Sequence, residues 1–307
     1  MSRAVVVETF GGPEALDVRE VPEPHAGPGQ LRVRVTAAGL NPMDWKLVGS
    51  PQAAAAFGMT LPAGFGNDYA GVVDEVGDGV AGFAVGDRVH GGAFARAVAD
   101  YVVVSPDLEG VVRTPDGVDD VTAAVLAVAG RTADAVIRAI DVHEGDTVLV
   151  GGAAGGVGVF VVQLARLAGA RVIGTGSEGT FEFLRSLGAE PVAYGDGLVD
   201  HVRLLAADGV TAAADLVGNQ TALAALELGV PADRIATIAT GEPPAGARAT
   251  GGRDAAPDAS ARIAELVASG QLTVPIAATY PVDRVREAVE VQRDGHVHGK
   301  LVVTLDH

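Results

Sequence analysis

The sequence predicts an α/β fold in which a β-rich N-terminal part is followed by a doubly wound parallel sheet. Three observations carry this prediction. Ahead of about Val121, short β-branched runs are separated by Gly and Pro turns. From about Asp119 onward, short apolar strands alternate with segments of helical periodicity, the pattern of a parallel sheet with helical crossovers. Within the second of these regions, the run from Thr147 to Gly158 (TVLVGGAAGGVG) reads as a buried strand, a tight glycine turn and a helix start.

In chain order, residues 5–7, 31–35, 71–76 and 101–104 read as strands, and 86–89 as a turn into another. Residues 119–129 and 131–140 carry helical periodicity. Strands at 147–150, 171–175, 191–193, 213–217 and 234–238 then alternate with helices at 159–167, 180–187, 199–206 and 220–228. Residues 241–257 read as a Gly/Pro-rich loop and 260–269 as a helix. Residues 276–280, 282–293 and 300–305 follow as strand, helix and strand. No solenoid-type repeat is visible.

The glycine turn has a chemical meaning. Ala153, Gly155 and Gly158 fall on the G-x-G-x-x-G spacing with alanine in the first slot. Gly155 lets backbone amides approach a pyrophosphate at a helix N-terminus, and Gly158 lets the helix lie close to the strand. An ordinary glycine-rich turn between packed elements is the plain alternative, weakened by the strand, helix and strand around it.

Composition sets limits. A length of 307 residues suggests about two domains, and 48% hydrophobic residues fit a globular protein. No apolar run reaches bilayer-spanning length, and Met1 to Glu8 enters a strand without a signal-peptide layout, so a cytoplasmic protein is expected. A net charge of −17 disfavours nucleic acid and anionic membranes as partners. Without cysteine there is no disulfide, no thiolate nucleophile and no cysteine-held metal. Only Lys46 and Lys300 stand beside twenty arginines, which marks both as candidates for sites needing a compact ammonium.

Motifs along nearly the whole chain resemble the medium-chain dehydrogenase/reductase superfamily, in its zinc-free quinone oxidoreductase (zeta-crystallin-like) branch. They are GLNPMDWK at 39–46, GNDYAGVVDEVG at 66–77, VGDRV at 85–89, AGRTA at 129–133, GAAGGVG at 152–158, LGA at 187–189 and GKLVV at 299–303. The resemblance implies a GroES-like β-rich catalytic domain over 1–121, rejoined by a C-terminal return at about 258–307. A Rossmann dinucleotide-binding domain over 122–257 is implied as well. It further implies a homodimer, and a cleft between the domains for cofactor and substrate.

Zinc-dependent relatives carry Gly-His-Glu where this chain has Gly66-Asn67-Asp68, and a cysteine near Asn41 to Asp44. Those ligand types are missing, so no metal site is expected. Of the histidines His25, His90, His143, His201, His296, His298 and His307, only His296 and His298 have chelating spacing, and a solvent-facing loop explains them better. Without a Lewis acid, the easier hydride acceptor is one that spreads its charge: an enone or enal giving an enolate, or a quinone giving a hydroquinone anion. The expected reaction is thus NADPH-dependent reduction of a small apolar unsaturated carbonyl or quinone, with NADPH favoured over NADH.

Lys46 is the candidate catalytic donor to the substrate oxygen, a surface lysine beside Trp45 being the plain alternative. The tyrosine that some family members carry shortly after is absent around Ser50-Pro51. By resemblance, Asn41 and Thr132 approach the nicotinamide, and Gly155, Gly156, Val157 and Gly158 hold the pyrophosphate. Thr175, Ser177 and Tyr194 flank the ribose and 2′-phosphate, and Val217 and Ala239 line strand ends on the nicotinamide side. NAD-specific relatives end the second strand with aspartate, where Gly176 here is expected to leave room for a 2′-phosphate. The usual lysine three residues after the serine is Thr180, Glu178 adds opposing charge, and Lys300 is a candidate replacement cation. Trp45 and Phe57, with the loop 49–64, are expected to border the substrate pocket. Asp44 and Asp68 read as structural and Tyr69 as core.

Two further readings stay open. One is an enoyl reductase or tailoring enzyme of a biosynthetic pathway. The other is a protein that binds NADPH without turnover, suggested by the missing tyrosine and by Thr180.

Overall fold

Strand Leu31–Leu40 alternates buried and half-buried positions up to Thr36 and is buried from Ala37 on, as a strand does that enters the middle of a sheet. In the computed structural model, which describes residues 1–239, 242–244 and 246–306, this strand is central to the first of two units. Contacts divide the chain into Met1–Val128 with Ser260–His307, and Ala129–Ala259.

In the first unit, Ser2–Val7 pairs antiparallel with Leu16–Val21 and Ala63–Gly64 to form a small sheet. A seven-stranded sheet runs in the order Ile276–Pro281, Lys300–Thr304, Leu31–Leu40, Asp68–Val76, Arg88–Gly92, Val112–Arg113, with Tyr101–Val104 also on Leu31–Leu40. One buried cluster joins the two sheets to helix Val285–Arg293 through Val5, Leu16, Val33, Phe65, Tyr69, Val289 and Leu301. Gly71 has a backbone reason: a Cβ there would lie 2.1 Å from the Arg34 carbonyl oxygen, where the register shifts between Val35 and Ala37. The unit runs on to Val128, past the limit of 121 read from the sequence. Ala123, Ala124 and Val125 pack with Ala37, Ala70 and Val302, and the Val128 amide donates to Asp68 Oδ1 at 2.8 Å.

The second unit holds a parallel sheet ordered Glu190–Ala193, Arg171–Gly176, Thr147–Gly151, Ala212–Asp215, Ile235–Thr237, Arg248–Ala249. Numbered along the chain this is 3-2-1-4-5-6, with the direction of winding reversing between Thr147–Gly151 and Ala212–Asp215. The helices Gly158–Leu167, Phe181–Ser186, Leu198–Leu205 and Gln220–Glu227 supply the crossovers.

Several elements differ from expectation. Helices Pro42–Gly49 and Pro51–Ala56 stand in a region read as β-rich and loop, each with proline at the start, where its missing N–H costs nothing. The two helices expected over 119–140 are Asp120–Ala123 and Ala127–Ala139. Within 241–257 the structure has strand Arg248–Ala249, which extends the sheet; Gly241, where that loop was taken to begin, lies outside the described residues, as does His307. No helix among the described residues is long and apolar enough to cross a membrane.

Candidate active site

In the second unit the predicted cofactor residues gather at one edge of the sheet, beyond the carboxyl ends of its strands. After Thr147–Gly151 the chain turns at Gly152, whose φ of +70° needs glycine, and enters helix Gly158–Leu167. A Cβ on Gly158 would sit 2.3 Å from the Gly152 carbonyl oxygen, so this close approach tolerates no side chain. Ala153 fits the first slot because the space beside its methyl is left by Gly174, where a Cβ would come within 2.9 Å of it. Among the described residues, the amides of Gly156, Val157 and Gly158 meet no protein acceptor. Free donors at a helix N-terminus fit a pyrophosphate, which they would hold through backbone hydrogen bonds.

Around this turn the other residues take distinct roles. Thr175 is buried and its Oγ1 accepts from the Gly152 amide at 3.3 Å, so it braces the turn from inside. The register pairs Gly176 with Ala193, so Ser177 and Tyr194 leave neighbouring strands side by side, both exposed. The Ser177 and Thr180 hydroxyls lie 2.8 Å apart. Val217 is 72% exposed and lies over Gly152, while Ala239 is exposed just past Ile235–Thr237. Asp215 holds this strand end: its carboxylate accepts from the amides of Val217, Gly218, Thr221 and Ala222 at 2.8–3.1 Å. Thr132 sits on Ala127–Ala139 beside Gly252. At Gly176 a Cβ would meet Leu184 at 2.9 Å and Thr180 at 3.3 Å, so packing favours glycine there. One expectation needs correction. Lys300 belongs to the first unit, is 3% exposed and is committed to partners there, so it is no free cation for a phosphate.

In the first unit, the sheet register builds a buried polar cluster. Leu40 pairs with Leu301 and Gly39 with Asp68, which brings Asn41, Lys300 and Asp68 to one place. The Lys300 ammonium donates to the Leu40 carbonyl at 3.0 Å and to Asn41 Oδ1; Asn41 Nδ2 donates to Asp68 at 2.9 Å. Asp44 accepts from the Asn41 amide at 2.7 Å and from Asn67 Nδ2. Burial raises Asp44 to about 7 and raises Asp68, and it lowers Lys300; the opposite charges of the cluster work against each shift. The Asn41 side chain is therefore spent inside the protein. Among the described residues, no three His, Asp or Glu side chains gather in a way that would hold a metal ion.

Lys46 and Trp45 lie on helix Pro42–Gly49 at a cavity of about 410 Å³ within the first unit, closed by Gly11, Gly12, Leu16, Val289 and Arg293. The indole N–H donates to Gln292 Oε1 at 3.1 Å, and Gln292 Nε2 donates to the Leu40 carbonyl, so helix Val285–Arg293 fixes the indole. Phe57 does not line this cavity. It is 45% exposed at the end of Pro51–Ala56, its amide closing that helix on Ala53 and Ala54.

Residues 27–116 match the alcohol dehydrogenase GroES-like domain and residues 187–303 the zinc-binding dehydrogenase family. The quinone oxidoreductase of Rattus norvegicus is 31% identical over 229 residues, 72% of this chain and 68% of that protein. This chain belongs to the quinone oxidoreductase family of medium-chain dehydrogenases/reductases. The quinone oxidoreductase of Pseudomonas aeruginosa is 36% identical over 180 residues, 57% of this chain, so the match spans about half (53%) of that relative's length. The quinone oxidoreductase structure from Coxiella burnetii superposes with a TM-score of 0.85 at 29% identity, covering 99% of each chain. As a family member the chain shares its α/β architecture, with a GroES-like part and a Rossmann-like sheet.

Arg293 and Gln292 escaped the sequence reading, because both look like solvent-side residues of an amphipathic helix end. Only the packing of that helix against Pro42–Gly49 reveals them. For Lys300 a signal was available: an isolated lysine opening a run of buried β-branched residues marks a charge carried into a sheet.

Proposed function

We propose that this protein is an oxidoreductase that moves hydride from NADPH to an enone, enal or quinone. The carrying observation is the convergence at one sheet edge, at the switch point of a 3-2-1-4-5-6 order, of the glycine turn, Ser177, Tyr194, Val217 and Ala239. In this reading the amides of Gly156, Val157 and Gly158 hold the pyrophosphate, and Ser177 and Tyr194 supply hydroxyls to the ribose and its 2′-phosphate. Glu178 opposes that phosphate, so the preference for NADPH over NADH is modest. Bound NADPH would supply the hydride.

The other tasks belong to the chain. Hydride arriving at the β-carbon moves the C=C electrons toward oxygen and leaves an enolate; at a quinone it leaves a hydroquinone anion. A hydrogen-bond donor at that oxygen lowers the barrier, and Lys46 beside Trp45 is the proposed donor. A proton from solvent or from the Lys46 ammonium completes the product. Asn41 is a positioning residue, held by Lys300 and Asp68 at the head of the Lys46 helix. The homodimer implied by the resemblance and the cytoplasmic setting expected from the sequence belong to this same proposal.

Fluorescence titration with NADPH and NADH, followed by stopped-flow NADPH oxidation with enones, quinones and enoyl thioesters, tests the reading. Tighter NADPH binding and oxidation by an enone or quinone are expected. Oxidation by enoyl thioesters alone would favour the biosynthetic reductase, and tight binding with no oxidation by any acceptor would favour the non-catalytic binder.

A further inference from the structure

The cavity of the first unit carries more positive charge than a neutral acceptor requires. Lys46 and Arg293 come from two different helices and converge on one indole, 5.7 and 5.8 Å from the Trp45 ring centroid. Both are exposed, and among the described residues neither has a hydrogen-bond or ion-pair partner through its charged head. Other arginines of the chain, such as Arg19, Arg32, Arg96 and Arg171, each hold a carboxylate. The acidic neighbour is Glu14, whose carboxylate accepts from the Gly12 amide at 2.7 Å. It is held low by its backbone hydrogen bonds first, and by the charges of Arg293 and Arg286 after them. Lys46 and Arg293 line the cavity and Glu14 does not, so the lining is net positive.

Leu16, Val48, Ala53 and Val289 give apolar walls beside Ser50, and a volume of about 410 Å³ lies at the small end of ligand sites. A flat indole wall, apolar walls and a net positive lining describe a complementary ligand: a flat apolar body with one negative charge. We propose that this cavity binds a carboxylate-bearing apolar molecule with its carboxylate on Arg293, so that the hydride acceptor is an unsaturated carbonyl or quinone with a remote carboxylate handle and Lys46 is left for the reacting oxygen. The acceptor part rests on the functional reading above. A phosphate fits less well, since its second charge would stand uncompensated near Glu14. The carboxylate stands apart from the reacting C=C, because direct conjugation feeds electron density into the alkene and makes it a poor hydride acceptor.

Trp45 is the chain's single tryptophan, so its emission reports on this cavity alone. The cofactor-free protein is titrated with 4-propylbenzoate and with 4-propylbenzyl alcohol. The benzoate should saturate with a Kd about tenfold or more below that of the alcohol, the size of one or two charge-assisted contacts. Arg293→Gln, at an exposed position, should weaken the benzoate about fivefold or more while leaving the alcohol unchanged, and Arg293→Lys should retain its binding. No saturable change with the benzoate, or equal affinity for the two probes, overturns the inference. NADPH oxidation is then compared for benzylideneacetone and its 4-carboxylate. Turnover of benzylideneacetone without benzoate binding overturns the anion site and leaves hydride transfer standing. Benzoate binding without turnover of either enone overturns the acceptor assignment and leaves the anion site standing.

Discussion

Lys300→Met removes the ammonium that faces Asp44 and Asp68 inside the first unit, while filling nearly the same volume. The Leu40 carbonyl keeps Gln292 as a donor at 3.1 Å, but Asn41 Oδ1 loses the lysine and the buried carboxylates lose their opposing charge. Deleting one partner of a buried charge cluster costs about 3–5 kcal/mol. At about 2–4 °C per kcal/mol this lowers Tm by roughly 6–20 °C. The loss depends on pH. Burial raises both carboxyls above their ordinary value, so the folded state holds protons that the unfolded state releases. That contribution is fully present below the unfolded value and disappears as pH rises through the folded one, about 7 for Asp44. Without Lys300 both carboxyls rise further, so the variant's deficit should be smaller near pH 5.5 and larger near pH 8. Urea unfolding of both proteins at the two pH values measures it, and Asp68→Asn on the variant background should recover part of the loss. A deficit under about 1 kcal/mol near pH 8, or one equal at both pH values, would refute the assignment of a charged buried cluster.

Gly158→Val should weaken NADPH binding about tenfold or more in a fluorescence titration, because its Cβ would lie 2.3 Å from the Gly152 carbonyl oxygen and push the turn open. Gly176→Asp should not convert the protein to NADH: with Leu184 at 2.9 Å from the new Cβ, it should cost about 1–3 kcal/mol by thermal unfolding and weaken both cofactors together. His90 is buried against Thr114, and burial first, then the Arg88 charge, lowers it to about 4. Its contribution is present above the unfolded value and lost as pH falls toward 4, so His90→Phe should flatten the fall in urea stability between pH 7 and pH 4.5.

What was legible in the sequence follows from period and local chemistry. The strand and helix bounds around Thr147–Gly151, Gly158–Leu167 and Arg171–Gly176 come within a residue of the reading, since buried β-branched runs and a glycine turn leave little choice. Helices Pro42–Gly49 and Pro51–Ala56 were missed because an alanine-rich, glycine-flanked stretch has no clear apolar period, and packing on the first unit decides it. The internal hydrogen bonds of Asn41 and Thr175 went unread for a related reason. Sequence position tells that a polar residue sits at a strand end, but not whether its side chain turns toward solvent or is spent holding its neighbours.

The sequence by itself determined the α/β class, the alternating second half and the glycine turn, because these depend on residues close together in the chain. Only the tertiary structure decided that Lys300 is buried near Asp44 and Asp68, that Leu184 and Thr180 occupy the space beside Gly176, and that Arg293 joins Lys46 over Trp45. Each of these is a contact between residues whose separation along the chain carries no local pattern. Burial and charge at such a contact are properties of the register and packing that bring the partners together.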